Sequence, residues 1–505
     1  MRRFALALCA TVLVAGCGGS AAPSSPADSG TPKKGGKVTV ALESELRVLD
    51  PAESSLLVER EVFYNVYDSL FTIDTGLKIQ PGLVTKWDTS DPLNFVFTLR
   101  PNVKFHDGTP FDSSIVKYNI ERAKTMATSK RKSELASVKS VEMRDKLTAV
   151  FHLAKSDATL LATLVDRSGM MVSPAAVEKA GKDFSVNPVN AGTGPFAFVE
   201  WKRNDHLTLR KNEGYWQSGL PYLDTVTYRA IPDVNAILSA LKTGDVDIAR
   251  QIASKDVASL KTDGGFIYKQ VPSLGFNGFE LNTSAPPFND PAKRKAVALA
   301  IDKRSILKNI FFNIGVLGYG PVPPPSWAFD PNEKVFDAAD PEKAKATATG
   351  FSFTYKTTAD PVVQQLAQLM QGQLAKAGIT MTVQTEEFAV LVQEAQAHKF
   401  QAAQITWSGR VDPDGNMYSW FHTGGDNNDT AFSNSEVDRL LEDARTSLDQ
   451  AKRKANYQQA QKLIAQDAPY IFTHFGVSTQ ITSSKIRHFT IYPDGMIRLA
   501  EVGKA

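Results

Sequence analysis

The sequence predicts an α/β fold built on more than one hydrophobic core. At 505 residues, with 42% hydrophobic and 22% charged side chains, the chain exceeds what one core supports, and its length suggests about three domains, or two with insertions. Strand and helix patterns alternate between residues 351 and 407: a strand at 351–357 (FSFTYKT), a helix at 361–377, a strand at 379–385, a helix at 388–398 and a strand at 400–407. That βαβαβ order is the signature of a sheet with crossover helices. The punctuation agrees with it, since Asp360-Pro361 places an N-cap before a proline at the first helical position and Gly378 follows the last turn.

The start of the chain reads as an export signal. Met1-Arg2-Arg3 supplies a positive n-region, and residues 4–15 form an apolar stretch too short to span a bilayer. It ends in Leu13-Val14-Ala15-Gly16-Cys17, which resembles the lipobox of bacterial lipoproteins. That resemblance implies cleavage after residue 16 and a lipid on Cys17, which would anchor the protein to the membrane. Cys9 would leave with the signal, so no disulfide is expected in the mature chain. Residues 17–35, rich in Ser, Ala, Pro and Gly, read as a disordered tether.

Beyond the tether, residues 37–42 (KVTVAL) alternate as a half-buried first strand, and a loop holding Glu45, Arg47 and Asp50 follows. A helix is expected over 56–70, with Val58, Val62, Phe63, Val66 and Leu70 near one face. Residues 95–99 alternate as a strand, and His106-Asp107-Gly108-Thr109-Pro110 is a turn before a helix carrying Ile115, Val116, Ile120 and Ala123. Asp233 caps a helix that Gly244 stops. One further helix is expected after Pro291, with Val297, Ala300, Ile301, Leu307 and Ile310 on its apolar side. Residues 321–325 (PVPPP) are rigid and extended. Ser433 and Glu436 form a capping-box pattern ahead of an amphipathic helix through Val437, Leu440, Leu441, Ala444 and Leu448.

The strongest ligand-site candidate is the stretch 404–421, QITWSGRVDPDGNMYSWF. In open α/β sheets ligands bind outside the carboxyl ends of the strands. Trp407 ends the third predicted strand, and Gly409, Arg410, Asp412 and Asp414 lie just past it. Other chemistries lack their marks. The seven histidines show no metal-ligand spacing, so neither a metal nor a cofactor is expected. Gly192-Thr193-Gly194 lacks the third glycine of a dinucleotide loop, and neither GxxxxGK[ST] nor GxSxG occurs. The acidic residues of the helices read as polar-face residues, with no carboxylate pair set apart for acid or base work. The net charge of +3, or +1 once Arg2 and Arg3 are removed, and the short basic clusters at 33–37 and 293–295 give no reason to expect nucleic acid.

Four stretches then carry a family resemblance: 81–123 (PGLVTKWDTSDPLNFVFTLRPNVKFHDGTPFDSSIVKYNIERA), 191–233 (AGTGPFAFVEWKRNDHLTLRKNEGYWQSGLPYLDTVTYRAIPD), 241–248 (LKTGDVDI) and 286–303 (PPFNDPAKRKAVALAIDK). Over nearly all of the mature chain the sequence resembles the family 5 extracellular solute-binding proteins of ABC importers, of the peptide- and nickel-binding type. The resemblance implies a two-lobed flytrap with an extra subdomain in the first lobe. By analogy the first lobe takes 36–70, 187–269 and 477–505, the extra subdomain 71–186 and the second lobe 270–476.

The implied function is a monomeric, non-enzymatic receptor on the outer face of the cytoplasmic membrane or in the periplasm. It would capture a di- or oligopeptide or similar small solute and deliver it to a permease driven by an ATPase. A sugar, an anionic small molecule or a metal chelate is the alternative cargo. An exported hydrolase and a surface adhesion or signalling lipoprotein are the alternative classes. The expected ligand contacts are Trp407, Gly409, Arg410, Asp412, Asp414, Trp420, Glu45 and Asn277. Peptide-binding members of the family place an aspartate in the corresponding loop for the peptide's amino group. This chain has Arg410 there, a reversed charge that points to an anionic or hydrogen-bond-accepting part of the ligand, unless Asp412 or Asp414 serves the amine or Arg410 pairs with one of them.

Overall fold

The computed structural model describes residues 30–505 apart from 251 and 253. The export signal, Cys17 and most of the tether lie outside the described residues. Two mixed sheets organise the rest. The first runs, in spatial order, Phe266–Pro272, Val477–Ser483, Ile248–Ala249, Lys37–Leu42, Thr225–Ala230, His206–Lys211 and Phe196–Lys202. Lys37–Leu42 lies inside it, parallel to both neighbours, with Val38 and Val40 fully buried as the alternation requires. The second runs Val316–Leu317, Tyr470–Phe475, Asn277–Leu281, Ala402–Ala403, Ser352–Thr357 and Thr380–Thr385. A four-stranded antiparallel sheet, Val84–Asp88, Asn94–Leu99, Thr148–Leu153 and Val138–Asp145, has its own core around Phe71, Phe97 and Phe151. Met170, Val172, Ala176 and Phe184 pack instead with the first large sheet, beside Val40 and Phe63.

The chain passes between the two large sheets at adjacent places. Phe266–Pro272 belongs to the first and Asn277–Leu281 to the second, while Tyr470–Phe475 belongs to the second and Val477–Ser483 to the first. These strands pair antiparallel with each other, so the crossings at 272–277 and 475–477 run side by side. Two short, neighbouring connections between rigid bodies have the form of a hinge.

Aspartates start many of the helices, because a side-chain carboxylate can take the backbone N–H groups that a first turn leaves unpaired. Asp360 accepts from Val362 and Val363, Asp233 from Asn235, and Asp290 from Ala292. Four expectations need correction. The helix after Pro291 is two helices, Pro291–Ala300 and Lys303–Asn309, because Asp302 accepts from Ser305 N at 3.0 Å and starts a new first turn. The first helix is Leu57–Val66, and residues 68–70 leave it where Asp68 is held by Thr193 and Trp216. Asn434, not Ser433, caps Ser435–Thr446 by accepting from Glu436 and Val437. The third strand of the βαβαβ run shrinks to Ala402–Ala403, beyond which Trp407 pairs with Phe276 in an isolated antiparallel bridge.

Candidate ligand-binding site

The stretch after Ala402–Ala403 leaves its sheet to follow the hinge. Phe276 and Trp407 exchange both backbone hydrogen bonds at 3.1 Å. Contact there is close: a Cβ on Gly275 would stand 1.8 Å from the Trp407 carbonyl oxygen, and one on Gly409 would stand 2.2 Å from the Leu274 carbonyl carbon. Gly409 also has φ +85°, a conformation that costs other residues steric strain.

The following residues are helical, Asp414–Phe421, where the sequence suggested an open loop. That helix brings in Asn416, a residue that sequence reasoning missed. Its Oδ1 accepts from Trp407 Nε1 at 3.0 Å and from the Arg410 amide at 2.9 Å, while its Nδ2 donates to the carbonyls of Leu274 at 2.9 Å and Pro321 at 3.1 Å. One buried amide therefore ties the loop to the hinge. Its only sequence mark is a glycine-asparagine pair, Gly415-Asn416, inside a helix start.

The two aspartates are engaged. Asp412 pairs with Arg453 at 2.6 Å, and Asp414 pairs with Arg445 at 2.6 Å while accepting from its own chain's Tyr457 at 3.4 Å. Burial pushes the Asp412 carboxyl up, with Arg453 opposing. Both carboxylates thus brace the loop against the helices Ser435–Thr446 and Gln450–Asp467. Trp420 is 4% exposed and packed edge-on to Phe276 and Tyr470, so it is a core side chain beneath the loop. Trp407 is half-buried, and the Arg410 guanidinium lies 4.3 Å from its ring centre. Glu45 accepts from Trp201 Nε1 at 2.9 Å and Asn204 N at 3.1 Å, beside a separate small cleft lined by Leu42, Trp201 and His206. Asn277 sits at the start of its strand beside the hinge, and its carbonyl accepts from Thr473 Oγ1 at 3.1 Å.

Arg410 does not pair with Asp412 or Asp414. Its stem passes over Gly415, where a Cβ would stand 2.6 Å from the Arg410 Cβ, and its Nη1 donates to its own Gly409 carbonyl at 2.8 Å. Its charged end enters a field set by Asp166, Arg60, Glu134 and Arg131, all from the other side of the molecule. Val411 next to it packs against the core of the four-stranded sheet. Two further contacts bridge the same divide: Ala158 N donates to the Arg445 carbonyl at 2.9 Å, and Lys155 meets Glu442 at 2.9 Å.

The facing wall is built by the loop that precedes Leu57–Val66. Glu59 collects that loop, accepting from Arg47 N at 3.1 Å, Val48 N at 3.0 Å, Ser54 Oγ at 2.7 Å and Leu56 N at 3.1 Å. The Ser54 carbonyl in turn accepts from Arg131 at 3.0 Å and Arg167 at 3.3 Å. Arg60 Nε lies 2.8 Å from Asp166 Oδ2, and Arg498 pairs with Asp494 at 2.6 Å. Burial pushes the Asp166 carboxyl up, but Arg60, Arg167 and Arg410 outweigh it and hold it below the ordinary carboxylate range. Burial, and next the neighbouring Arg131, lowers the Arg167 guanidinium to about 9. Three consecutive charges in a helix, Glu59, Arg60 and Glu61, are all buried. A charged run that covers more than one helix face was the available signal, and reading acidic residues as polar-face residues missed it.

The geometry is thus a cluster of charges where two bodies joined by paired strands meet. A family model for bacterial extracellular solute-binding proteins, family 5 middle, matches residues 78–429. The chain belongs to that family. The solute-binding protein is 28% identical over 476 residues to the glutathione-binding protein GsiB of Pectobacterium atrosepticum, covering 90% of this chain and 91% of that one. Among solved structures it is similar to the periplasmic binding protein DppA of Helicobacter pylori in complex with the peptide STSA (26% identity, TM-score 0.85, 94% of this chain and 98% of that one). It is likewise similar to the oligopeptide-binding protein AppA of Bacillus subtilis in complex with a nonapeptide (25% identity, TM-score 0.84, 94% and 100%). The two-lobed fold implied by the sequence is that of these proteins.

Proposed function

We propose that this protein is the extracytoplasmic receptor of an ABC importer, which closes its lobes on a peptide-like solute and hands it to a permease. The observation that carries this reading is Arg410, a side chain of one lobe set among Arg60, Arg131, Asp166 and Glu134 of the other, in a chain of the solute-binding family. Relatives named for binding glutathione and peptides support a peptide-like cargo. The reading takes 36–70, 187–269 and 477–505 as the first lobe, 71–186 as the extra subdomain and 270–476 as the second lobe, and the membership of the three sheets supports that division, although Met170, Val172, Ala176 and Phe184 pack with the first lobe. Trp407, Gly409 and Arg410 are the ligand contacts, while Asp412, Asp414 and Trp420 hold them in place. A monomer acting without catalysis suffices for this function.

Calorimetric titration of the purified protein with glutathione and with short peptides tests it. Saturable binding without turnover is expected, and failure of every peptide to bind would overturn the peptide-like cargo. The lipid anchor at Cys17 is a separate part of the proposal. Cys17→Ser should abolish lipid labelling and release the protein from membranes, whereas unchanged labelling and retention would refute it.

A further inference from the structure

The charges where the two lobes meet do not balance. Arg60, Arg131, Arg167 and Arg410 act on one another there, and the carboxylates facing them are Asp166 and Glu134. Asp166 is shared by Arg60 at 2.8 Å and Arg167 at 3.7 Å, and Glu134 by Arg131 and the hydroxyl of Ser168. Adjoining Arg498 is matched by Asp494, which also lies 3.9 Å from Arg60, and burial keeps the neighbouring Glu61 carboxyl protonated near neutral pH, so neither changes the balance. Arg410 makes no ion pair among the described residues.

Hydrogen bonding is incomplete in the same place. Arg60 Nη1, Arg131 Nε and Arg167 Nε are buried without an acceptor, and Arg60, Arg131 and Arg167 are 2%, 5% and 4% exposed. A buried guanidinium left unpaired is costly, and four of them beside two carboxylates repel one another. Aromatic faces offset a part, with Tyr64 5.7 Å from Arg60 and Trp407 4.3 Å from Arg410. A scaffold needing only rigidity would match the charges or dispense with them. Orphan donors and uncompensated cations gathered in one place are instead what an anionic guest satisfies, since guanidinium groups take carboxylates through paired, charge-assisted hydrogen bonds.

We propose that this cluster selects a peptide-like solute carrying two carboxylates, received by Arg60, Arg131 and Arg167 of one lobe and clamped by Arg410 of the other. This rests on the reading of the protein as a receptor for peptide-like solutes. The count follows from the arginines, because two carboxylates supply one partner for each of the two arginines in excess of Asp166 and Glu134. The solute's amino group is not the feature read by the Arg410 loop, whose own carboxylates are held by Arg453 and Arg445.

The test titrates the purified protein with glutathione, with glutathione bis-amide, which removes both negative charges at nearly constant size, with alanyl-alanine and with the non-peptide dicarboxylate glutarate. Glutathione should bind at least about tenfold more tightly than its bis-amide and than alanyl-alanine, with affinity falling as salt rises. Arg410→Gln should erase most of that preference, and Arg410→Lys should restore a part of it. Equal or tighter binding of the bis-amide or of alanyl-alanine would overturn this inference while leaving the peptide receptor standing. Binding of glutarate alone, lost in Arg410→Gln, would support the anion site and overturn the peptide-like cargo. Binding of none of the four probes would overturn both. If Arg410→Gln fails to fold, the acid-to-amide ratio on the unaltered protein still decides.

Discussion

Asp414 shows how a residue that looks like a ligand contact can be a brace. Its side chain is 6% exposed and lies 2.6 Å from Arg445, whose ring-facing side stacks on Tyr418. Removing one partner of such a pair leaves the other charge buried, which costs more than the pair contributes. Asp414→Ala should lower unfolding stability by about 3 kcal/mol in urea denaturation. A loss below about 1 kcal/mol would show the pair to be solvated and return Asp414 to the list of solute contacts. Glu61 gives a second prediction. Burial, which outweighs its bond from Ile497 N, lifts its carboxyl from 4.5 to about 8, with Asp494, Arg498 and Arg60 around it. Between those values the folded protein keeps a proton that the unfolded chain has lost, so Glu61's contribution to stability falls as pH rises from about 4.5 to about 8, while the buried His106 and His474, lowered to about 4, act oppositely up to about 6.5. Asp68 and Asp429, both raised to about 6 mainly by burial, tilt the lower part of that range the same way as Glu61. Glu61→Gln keeps the acceptor for Ile497 and should flatten the decline of the urea midpoint with pH. An unchanged slope would assign the decline to other groups.

At the scale of elements, what the sequence showed was whatever local chemistry decides. The caps at Asp233 and Asp360, the stop at Gly244 and the alternating strand Lys37–Leu42 needed no distant partner and were readable. What stayed hidden depends on neighbours far along the chain. The run 400–407 has strand periodicity throughout, yet only Ala402–Ala403 find a ladder, because the Phe276–Trp407 bridge draws the rest to the hinge. Arg410 was legible as a charge reversed from the family pattern, whereas Arg60, Arg131 and Arg167 join it only through folding and carry no motif. The loop also has a centre that spacing could not reveal. Asn416→Ala would strand Trp407 Nε1, the Arg410 amide and the carbonyls of Leu274 and Pro321. A cost of about 3 kcal/mol or more is expected in urea denaturation, together with weakened glutathione binding. A variant that keeps wild-type stability and affinity would mean the loop is held elsewhere.

For the whole molecule, the loop and the hinge are one mechanical unit. Leu274 and Phe276, in and beside the crossing at 272–277, are bonded to Asn416 and Trp407, so a change of hinge angle carries Arg410 with it. Closing the lobes brings Arg410 toward Arg60, Arg131 and Arg167 as well as toward Asp166 and Glu134, alongside the interlobe contacts Lys155–Glu442 and Ala158–Arg445. A solute that binds the closed form better than the open one shifts the population by its differential affinity, and an anion has that difference because it sees all four arginines only when the lobes meet. Solution scattering should therefore show a smaller radius of gyration on adding glutathione, with a parallel change in tryptophan fluorescence from Trp407. At a hundred times its dissociation constant the ligand should also stabilise the fold by about 2.7 kcal/mol. Arg410→Gln removes the clamp's charge from one lobe, so its radius of gyration should respond less to ligand than that of the unaltered protein. Saturable binding that leaves the radius of gyration of the unaltered protein unchanged would show that the hinge does not move and that the arginines act within a preformed site.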